Sequence, residues 1–339
     1  MKIFTFPKRP DLALVIRGLA ALSVLLWHGG FHAATNAISH YFIVPGRTAV
    51  WIFFAISGYL LTRGFTARKY QLTKFDLIRF YYNRALRIYP LFLFVTAFCL
   101  ALTPNWRALL NLRFLAKNLL VFINYHHEYP LNGVFWTLGI EVQFYLLFPF
   151  LYFLQSTTRG LRPIVLYFLF CFSLTVLKKF DQQLLRDSRS FLGNLMHFQV
   201  GIIIALNRLQ ILKLEPHKNW LKLLGVSSVI ILIFTNKLYH TSNELYFGLS
   251  GLFLVDSAIA GFLMLHVIME ENHDTLHRFN WKLGYILGIL SYGLYCWHPI
   301  LISSLKLTEV NYLALILGSL LASLVSYIIF ERPFIKLKL

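Results

Sequence analysis

Residues 17–28 read RGLAALSVLLWH, with one arginine and one histidine at the two ends of an otherwise apolar run. Eleven residues of α-helix turn through about 1100°, three turns and about 20° more, and rise about 16 Å. Arg17 and His28 therefore share one helix face and stand at different depths along it. An ionisable group inside a membrane span is costly and tends to mark a pathway or a site. Two plainer readings stay open: Arg17 snorkelling to the inner headgroups, and His28 closing the helix at the outer surface.

The whole chain has the same character. Of its 339 residues 58% are hydrophobic, 17% aromatic and only 14% charged, far more apolar than a soluble domain. The mean hydropathy is +0.62. A net charge of +18 raises the question of nucleic acid. In a chain of apolar runs, however, Lys and Arg serve to hold cytoplasmic loops beside anionic lipid, so no nucleic-acid partner is expected. Cys99, Cys171 and Cys296 each lie inside an apolar run, without metal-ligand spacing or a disulfide framework. The basic start and apolar middle of the first thirty residues imitate a secretion signal, but Arg17 interrupts it and further spans follow, so a retained first span is expected.

Periodicity and length predict an all-α, polytopic membrane bundle of about ten helices. They fall near 11–31, 46–66, 88–104, 133–155, 162–178, 190–209, 219–236, 245–269, 283–303 and 311–331. Residues 114–124, FLAKNLLVFIN, are too few to span and read as an interfacial or re-entrant piece. The connections leave no room for a soluble domain, so residues 1–339 are expected to form one membrane domain. With the N-terminus inside, roughly two thirds of the 32 Lys and Arg fall on the cytoplasmic side, which predicts both termini there. The richest segment carries Arg63, Arg68, Lys69, Lys74, Arg79, Arg84 and Arg87.

Depth along the spans sorts the polar residues. Counted at 1.5 Å per residue, His28, His298, Glu141 and Ser57 read as a middle-to-outer layer. Arg17, Arg84, Arg87, Glu331 and Arg332 read as an inner one. Each has an ordinary alternative: a protonated buried acid for Glu141, a helix-end ring before Pro299 for His298, close packing for Ser57-Gly58, positive-inside markers for Arg84 and Arg87, and an ion pair for Glu331–Arg332. His197 reads as a satisfied core histidine, and His126-His127 with Glu128 is too sparse for a metal site, so no metal is expected.

Six strings stand in order along the chain: RGLAALSVLLWH, FFAISGYLLT, RALRIYP, FWTLGIEVQFYLLFP, SYGLYCWHPI and ERP. Together they resemble the signatures of the acyltransferase family 3 integral membrane proteins, over essentially the whole length. The resemblance implies transfer of an acyl group, usually acetyl, from cytoplasmic acyl-CoA to an extracytoplasmic glycan such as O-antigen, exopolysaccharide or peptidoglycan. The family's Arg–ten residues–His motif falls on Arg17 and His28, its Arg-x-x-Arg on Arg84 and Arg87, and its intramembrane acid on Glu141. Two departures are visible: Trp136-Thr137-Leu138 for Trp-Ser-Leu, and His298-Pro299 for His-x-Pro. The appended hydrolase-like domain of some relatives is not expected.

In this reading His28 is the general base that accepts a sugar hydroxyl's proton, with Glu141 orienting its imidazole. Ser57, Tyr145 or Trp136 would donate to the oxyanion. Arg84 and Arg87 would grip the phosphates of coenzyme A, and Arg17 would guide the pantetheine arm. His298 and Glu331 are supporting candidates. Direct transfer and an acyl-histidine intermediate both remain open, as does the oligomeric state. The expected location is the cytoplasmic (inner) membrane, in contact with the bilayer. A transporter or flippase would share the spans and buried charges, but paired, broken segments in matching halves are not found.

Overall fold

The structure, a computed structural model, describes residues 4, 6, 11–30, 44–104, 131–156, 161–180, 190–213, 218–242, 249–271, 281–304 and 312–339. Among them the secondary structure is entirely helical. The helices are α1 (Leu12–His28), α2 (Gly46–Thr66), α3 (Lys74–Leu102), α4 (Trp136–Ser156, entered through a 3-10 turn at Gly133–Phe135), α5 (Leu161–Phe180) and α6 (Phe191–Leu206). A short α7 (Arg208–Leu212) precedes α8 (Lys218–Thr241), α9 (Leu249–Glu271), α10 (Lys282–Ser304) and α11 (Tyr312–Ser326). A π-helical turn, Tyr327–Glu331, then leads into α12 (Arg332–Lys336).

Each of the ten predicted segments coincides with a helix. Seven helical stretches are long and apolar enough to cross a bilayer, while Leu12–His28, Arg162–Phe172 and Phe191–Leu206 are apolar but shorter. Phe150, Phe153, Phe168, Phe172, Leu313, Leu317 and Leu321 are exposed on the bundle's surface, where a soluble protein would place charge. The predicted pieces at 114–124 and 126–128 lie outside the described residues.

Two glycine crossings set the helix spacing around the site. A Cβ on Gly288 of α10 would lie 2.1 Å from the Leu14 carbonyl oxygen of α1, and one on Gly18 would lie 2.5 Å from the Gly288 nitrogen. Only hydrogens allow that approach, the way small residues bring membrane helices together. On the other side of α2, Gly58 and Gly201 play the same part. Their added Cβ atoms would sit 2.1 Å from the Phe198 carbonyl and 1.9 Å from the Ala55 carbonyl. Aromatic rings fill the space beside that crossing: Phe198 stacks on both Phe54 and Phe144, at 4.5 and 3.8 Å between centroids.

One element differs from expectation. The third segment, predicted at 88–104, begins at Lys74 and ends at Leu102. Thr73 caps it, its hydroxyl accepting the Asp76 N–H at 3.3 Å, and the helix reaches about 44 Å, beyond the roughly 30 Å of a bilayer core. The charges that break its apolar run extend α3 out of the span instead of ending it. Asn83 on this extension binds the chain end: its amide donates to the Leu339 carbonyl and its carbonyl accepts the Leu339 N–H, both at 3.0 Å.

Candidate functional site

α1 begins where Asp11 accepts the Leu14 N–H at 3.0 Å, and its rise carries Arg17 and His28 along one face towards α10. On α10, Ser291, Tyr295 and His298 recur at i, i+4 and i+7, one stripe of a helix. The Gly18–Gly288 crossing presses the two stripes together. His28 Nδ1 lies 2.9 Å from His298 Nε2, with the rings 4° from parallel planes. About three turns away, Arg17 Nε donates to Ser291 Oγ at 3.1 Å. Arg17, 9% exposed, and His298, fully buried, lie inside the bundle, whereas His28 at the end of α1 is exposed.

Two cavities lie along this line. One of about 470 Å³ is lined by His28, Trp27, Arg47, Trp136, Tyr239, Pro299 and Ser303, among others. Arg47, in the first turn of α2, lies over the Trp136 ring at 4.6 Å. The second, about 30 Å³, is lined by Arg17, Phe53, Thr137, Glu141, Ser291 and Tyr292, among others. Val50 and Tyr295 belong to the walls of both. The Tyr295 hydroxyl is fixed between the Val134 carbonyl, to which it donates at 3.0 Å, and the Thr137 hydroxyl at 2.9 Å. In α4, Glu141 Oε1 accepts from Ser57 Oγ at 2.9 Å and from the Tyr145 hydroxyl one helical turn on.

Beyond Arg17 the charges turn basic. Arg87 lies within electrostatic reach of Arg17 and Glu331, and Arg84 of Tyr145, whose ring is 5.7 Å from the Arg84 guanidinium carbon. Glu331, 8% exposed, ends the π-helical turn, and its Oε1 has no hydrogen-bond partner among the described residues. The Nε of Arg84 is likewise buried and unpartnered. Lys338, placed here by the Asn83–Leu339 bonds, has its pKa lowered to about 7, first by burial and then by Arg87, Arg84, Lys69 and Arg17. A partly buried cluster of cations with spare donors is chemistry suited to a phosphorylated ligand. No group of three or more His, Cys, Asp or Glu positioned to hold a metal occurs among the described residues.

A sequence family described as an acyltransferase domain matches residues 15–331. The chain belongs to acyltransferase family 3. Among curated relatives, this chain is 26% identical over 327 residues to the peptidoglycan O-acetyltransferase OatA of Listeria monocytogenes. That match covers 87% of this chain and 50% of the relative. It is 29% identical over 150 residues to the O-acetyltransferase OatA of Staphylococcus aureus, covering 40% of this chain and 23% of that one. An uncharacterised protein of Haemophilus influenzae is 24% identical over 245 residues, 65% of this chain and 98% of its own length. The chain thus spans about half the length, or less, of the OatA relatives. No solved structure matches.

The structure brings together Arg17 with Glu141, Ser57 and Tyr145, Arg87 with Glu331, Arg84 with Tyr145, and His28 with His298 and Trp136. It corrects two expectations. Glu141 does not hold the His28 ring; its hydrogen bonds run to Ser57 and Tyr145, and His28 bonds to His298. The reason is depth. Ser57 and Glu141 lie about 16 and 12 Å below the His28 end of their helices, close to the level of Arg17, about 16 Å below His28. The hydroxyls of Ser57 and Tyr145 are therefore committed to a carboxylate, which leaves Trp136 as the aromatic donor beside the His28 cavity.

Sequence reasoning missed Arg47, Tyr239, Tyr295, Ser291, Lys69 and Lys338. The 291–295–298 stripe was a usable signal, whereas Arg47 and Lys338 look like interfacial charges. It also missed the partner of His197, a buried ring whose Nδ1 lies 2.6 Å from Asp256 Oδ1, with the Tyr167 hydroxyl donating to Oδ2 at 2.9 Å.

Proposed function

We propose that this chain is a membrane O-acyltransferase that moves an acyl group, acetyl by preference, from cytoplasmic acyl-CoA to a hydroxyl of an extracytoplasmic cell-surface glycan. The observation that carries the reading is the line of sites through the bundle. It runs from the cations around Arg84, through the small cavity at Arg17 and Glu141, to the larger cavity at His28. The peptidoglycan O-acetyltransferase among the relatives supports acetyl as the group and peptidoglycan as one acceptor. Ten crossings of the cytoplasmic membrane, with both termini inside, put the basic end where acyl-CoA is found and satisfy the distribution of Lys and Arg.

Arg84, Arg87 and Lys338 bind the phosphates, and the thioester arm lies past Arg17, whose charge Glu141 balances. In the larger cavity His28 takes the proton of the acceptor hydroxyl as its oxygen attacks the thioester carbonyl. The carbon–sulfur bond breaks, and the thiolate leaves with the proton returned by His28. Only the acyl carbon travels; the nucleotide stays at the basic end. The larger cavity suits a saccharide edge, with Trp136, Trp27 and Tyr239 in its wall.

The test is transfer of label from [14C]acetyl-CoA to soluble peptidoglycan fragments and to surface polysaccharide, by the full chain in nanodiscs. Arg84→Ala raises the KM for acetyl-CoA. His28→Ala abolishes transfer and leaves acetyl-CoA binding intact. No turnover of acetyl-CoA with any acceptor, together with movement of a solute across the membrane, would replace this reading with a transporter.

A further inference from the structure

We propose that His298 is a positioning residue: it holds His28 with the proton on Nδ1, so that Nε2 is the atom that receives the acceptor's proton. The inference rests on the reading of His28 as base and supplies what Glu141 does not.

Pro299 has no N–H, so the ladder of α10 is broken at this turn. The His298 ring folds back along its own helix, with Nδ1 3.1 Å from the Leu294 carbonyl oxygen. A carbonyl oxygen only accepts, so Nδ1 carries a hydrogen. The ring is fully buried and no carboxylate is bonded to it among the described residues, and a second proton would leave an uncompensated charge there. Nε2 of His298 therefore presents its lone pair. Across 2.9 Å, in rings nearly parallel, it meets His28 Nδ1, which must be the donor.

A neutral imidazole has one donor and one acceptor nitrogen. With Nδ1 of His28 donating, its basic lone pair is on Nε2, and the ring stands in the wall of the large cavity. The chain of bonds has a single direction: from His28 to His298 to the Leu294 carbonyl. When the acceptor's proton reaches Nε2, His28 becomes an imidazolium whose Nδ1–H bond to His298 turns charge-assisted and strengthens. The proton leaves by the same nitrogen to the departing sulfur, so His298 neither gains nor loses a proton over the cycle. The group that holds the His28 ring is a neutral acceptor in place of a carboxylate, and it is itself fully buried, where a further charge is costly.

The experiment uses the full chain in nanodiscs, with histidine labelled by 15N and the His28 signal assigned by its loss in His28→Gln. Wild type shows His28 protonated on Nδ1. His298→Leu, which has no acceptor, loses that preference; kcat with acetyl-CoA and peptidoglycan fragments falls about 100-fold or more, with KM for acetyl-CoA unchanged. His298→Gln, whose Oε1 reaches where Nε2 stood, keeps the tautomer and most of the rate. A wild-type His28 protonated on Nε2, or a folded His298→Leu with unaltered kcat, overturns the role of His298. The stated tautomer in a wild-type protein that transfers no acetyl to any acceptor overturns the reaction instead.

Discussion

Replacing Gly288 by Ala tests whether the geometry of the site depends on the helix crossing beneath it. The added Cβ would stand 2.1 Å from the Leu14 carbonyl oxygen, about 1.3 Å short of the 3.4 Å at which ordinary contact begins. Backbone cannot step aside as a flexible side chain can, so α1 and α10 must part or tilt by about that amount. The bonds at stake are Arg17 to Ser291, 3.1 Å, and His28 to His298, 2.9 Å. Lengthened by an ångström, both pass beyond useful hydrogen-bond range. Overpacking costs about 1–3 kcal/mol, which a membrane bundle of this size survives. A displacement of this order at reacting groups costs about 100-fold in rate. The measurement is kcat for acetyl transfer in nanodiscs, beside a thermal unfolding curve. Gly64→Ala is the control, because its Cβ would meet only the Tyr70 ring at 3.4 Å. A folded Gly288→Ala with kcat within threefold of wild type refutes the argument.

Three further outcomes are expected. Lys338 loses its charge near pH 7, below the ordinary lysine range, because burial and neighbouring cations disfavour it. Affinity for acetyl-CoA therefore weakens as pH rises through 7, by at most about tenfold per unit, and Lys338→Arg flattens the profile. The same shift makes this group's contribution to folding stability rise with pH between 7 and 10.5, since the unfolded chain there holds the extra proton. Asp256→Ala leaves His197 and Tyr167 without their buried partner and lowers unfolding free energy by about 3–5 kcal/mol, measured by denaturant titration in detergent. Tyr145→Phe costs about 1–3 kcal/mol in wild type but much less in a Glu141→Ala background, which has no side-chain acceptor; equal cost in both would show that the hydrogen bond does not carry the effect.

The fold was legible because a bilayer leaves a chain few options. Long apolar runs must be helices there, and each predicted run is one. Boundaries failed where charge and span overlap: α3 keeps its helix through Arg79, Arg84 and Arg87, which a hydropathy count reads as loop. The site was legible in its residue types and in the pairing of Arg17 with His28 along one face. Its cross-helix partners were not, because depth measured from two different helix ends does not reveal that Glu141 stands level with Arg17. Nor does spacing along one helix disclose Gly18 against Gly288, a contact between segments far apart in the chain. Asp256 escaped for the same reason: nothing near it in sequence announces His197.

The shared wall of Val50 and Tyr295 has an electrical consequence. A resting potential of 100 mV drives each unit charge with about 2.3 kcal/mol, and an enzyme wetted from both sides along one bore would dissipate it. Here an aliphatic side chain and a phenol tethered by Val134 and Thr137 form a septum between the two chambers. In the proposed reaction the slim, neutral thioester arm would pass such a septum, while hydronium and sodium, which would have to shed their water, would be turned back. On the proposed reading the bilayer would stay insulating while an acyl group is moved across it.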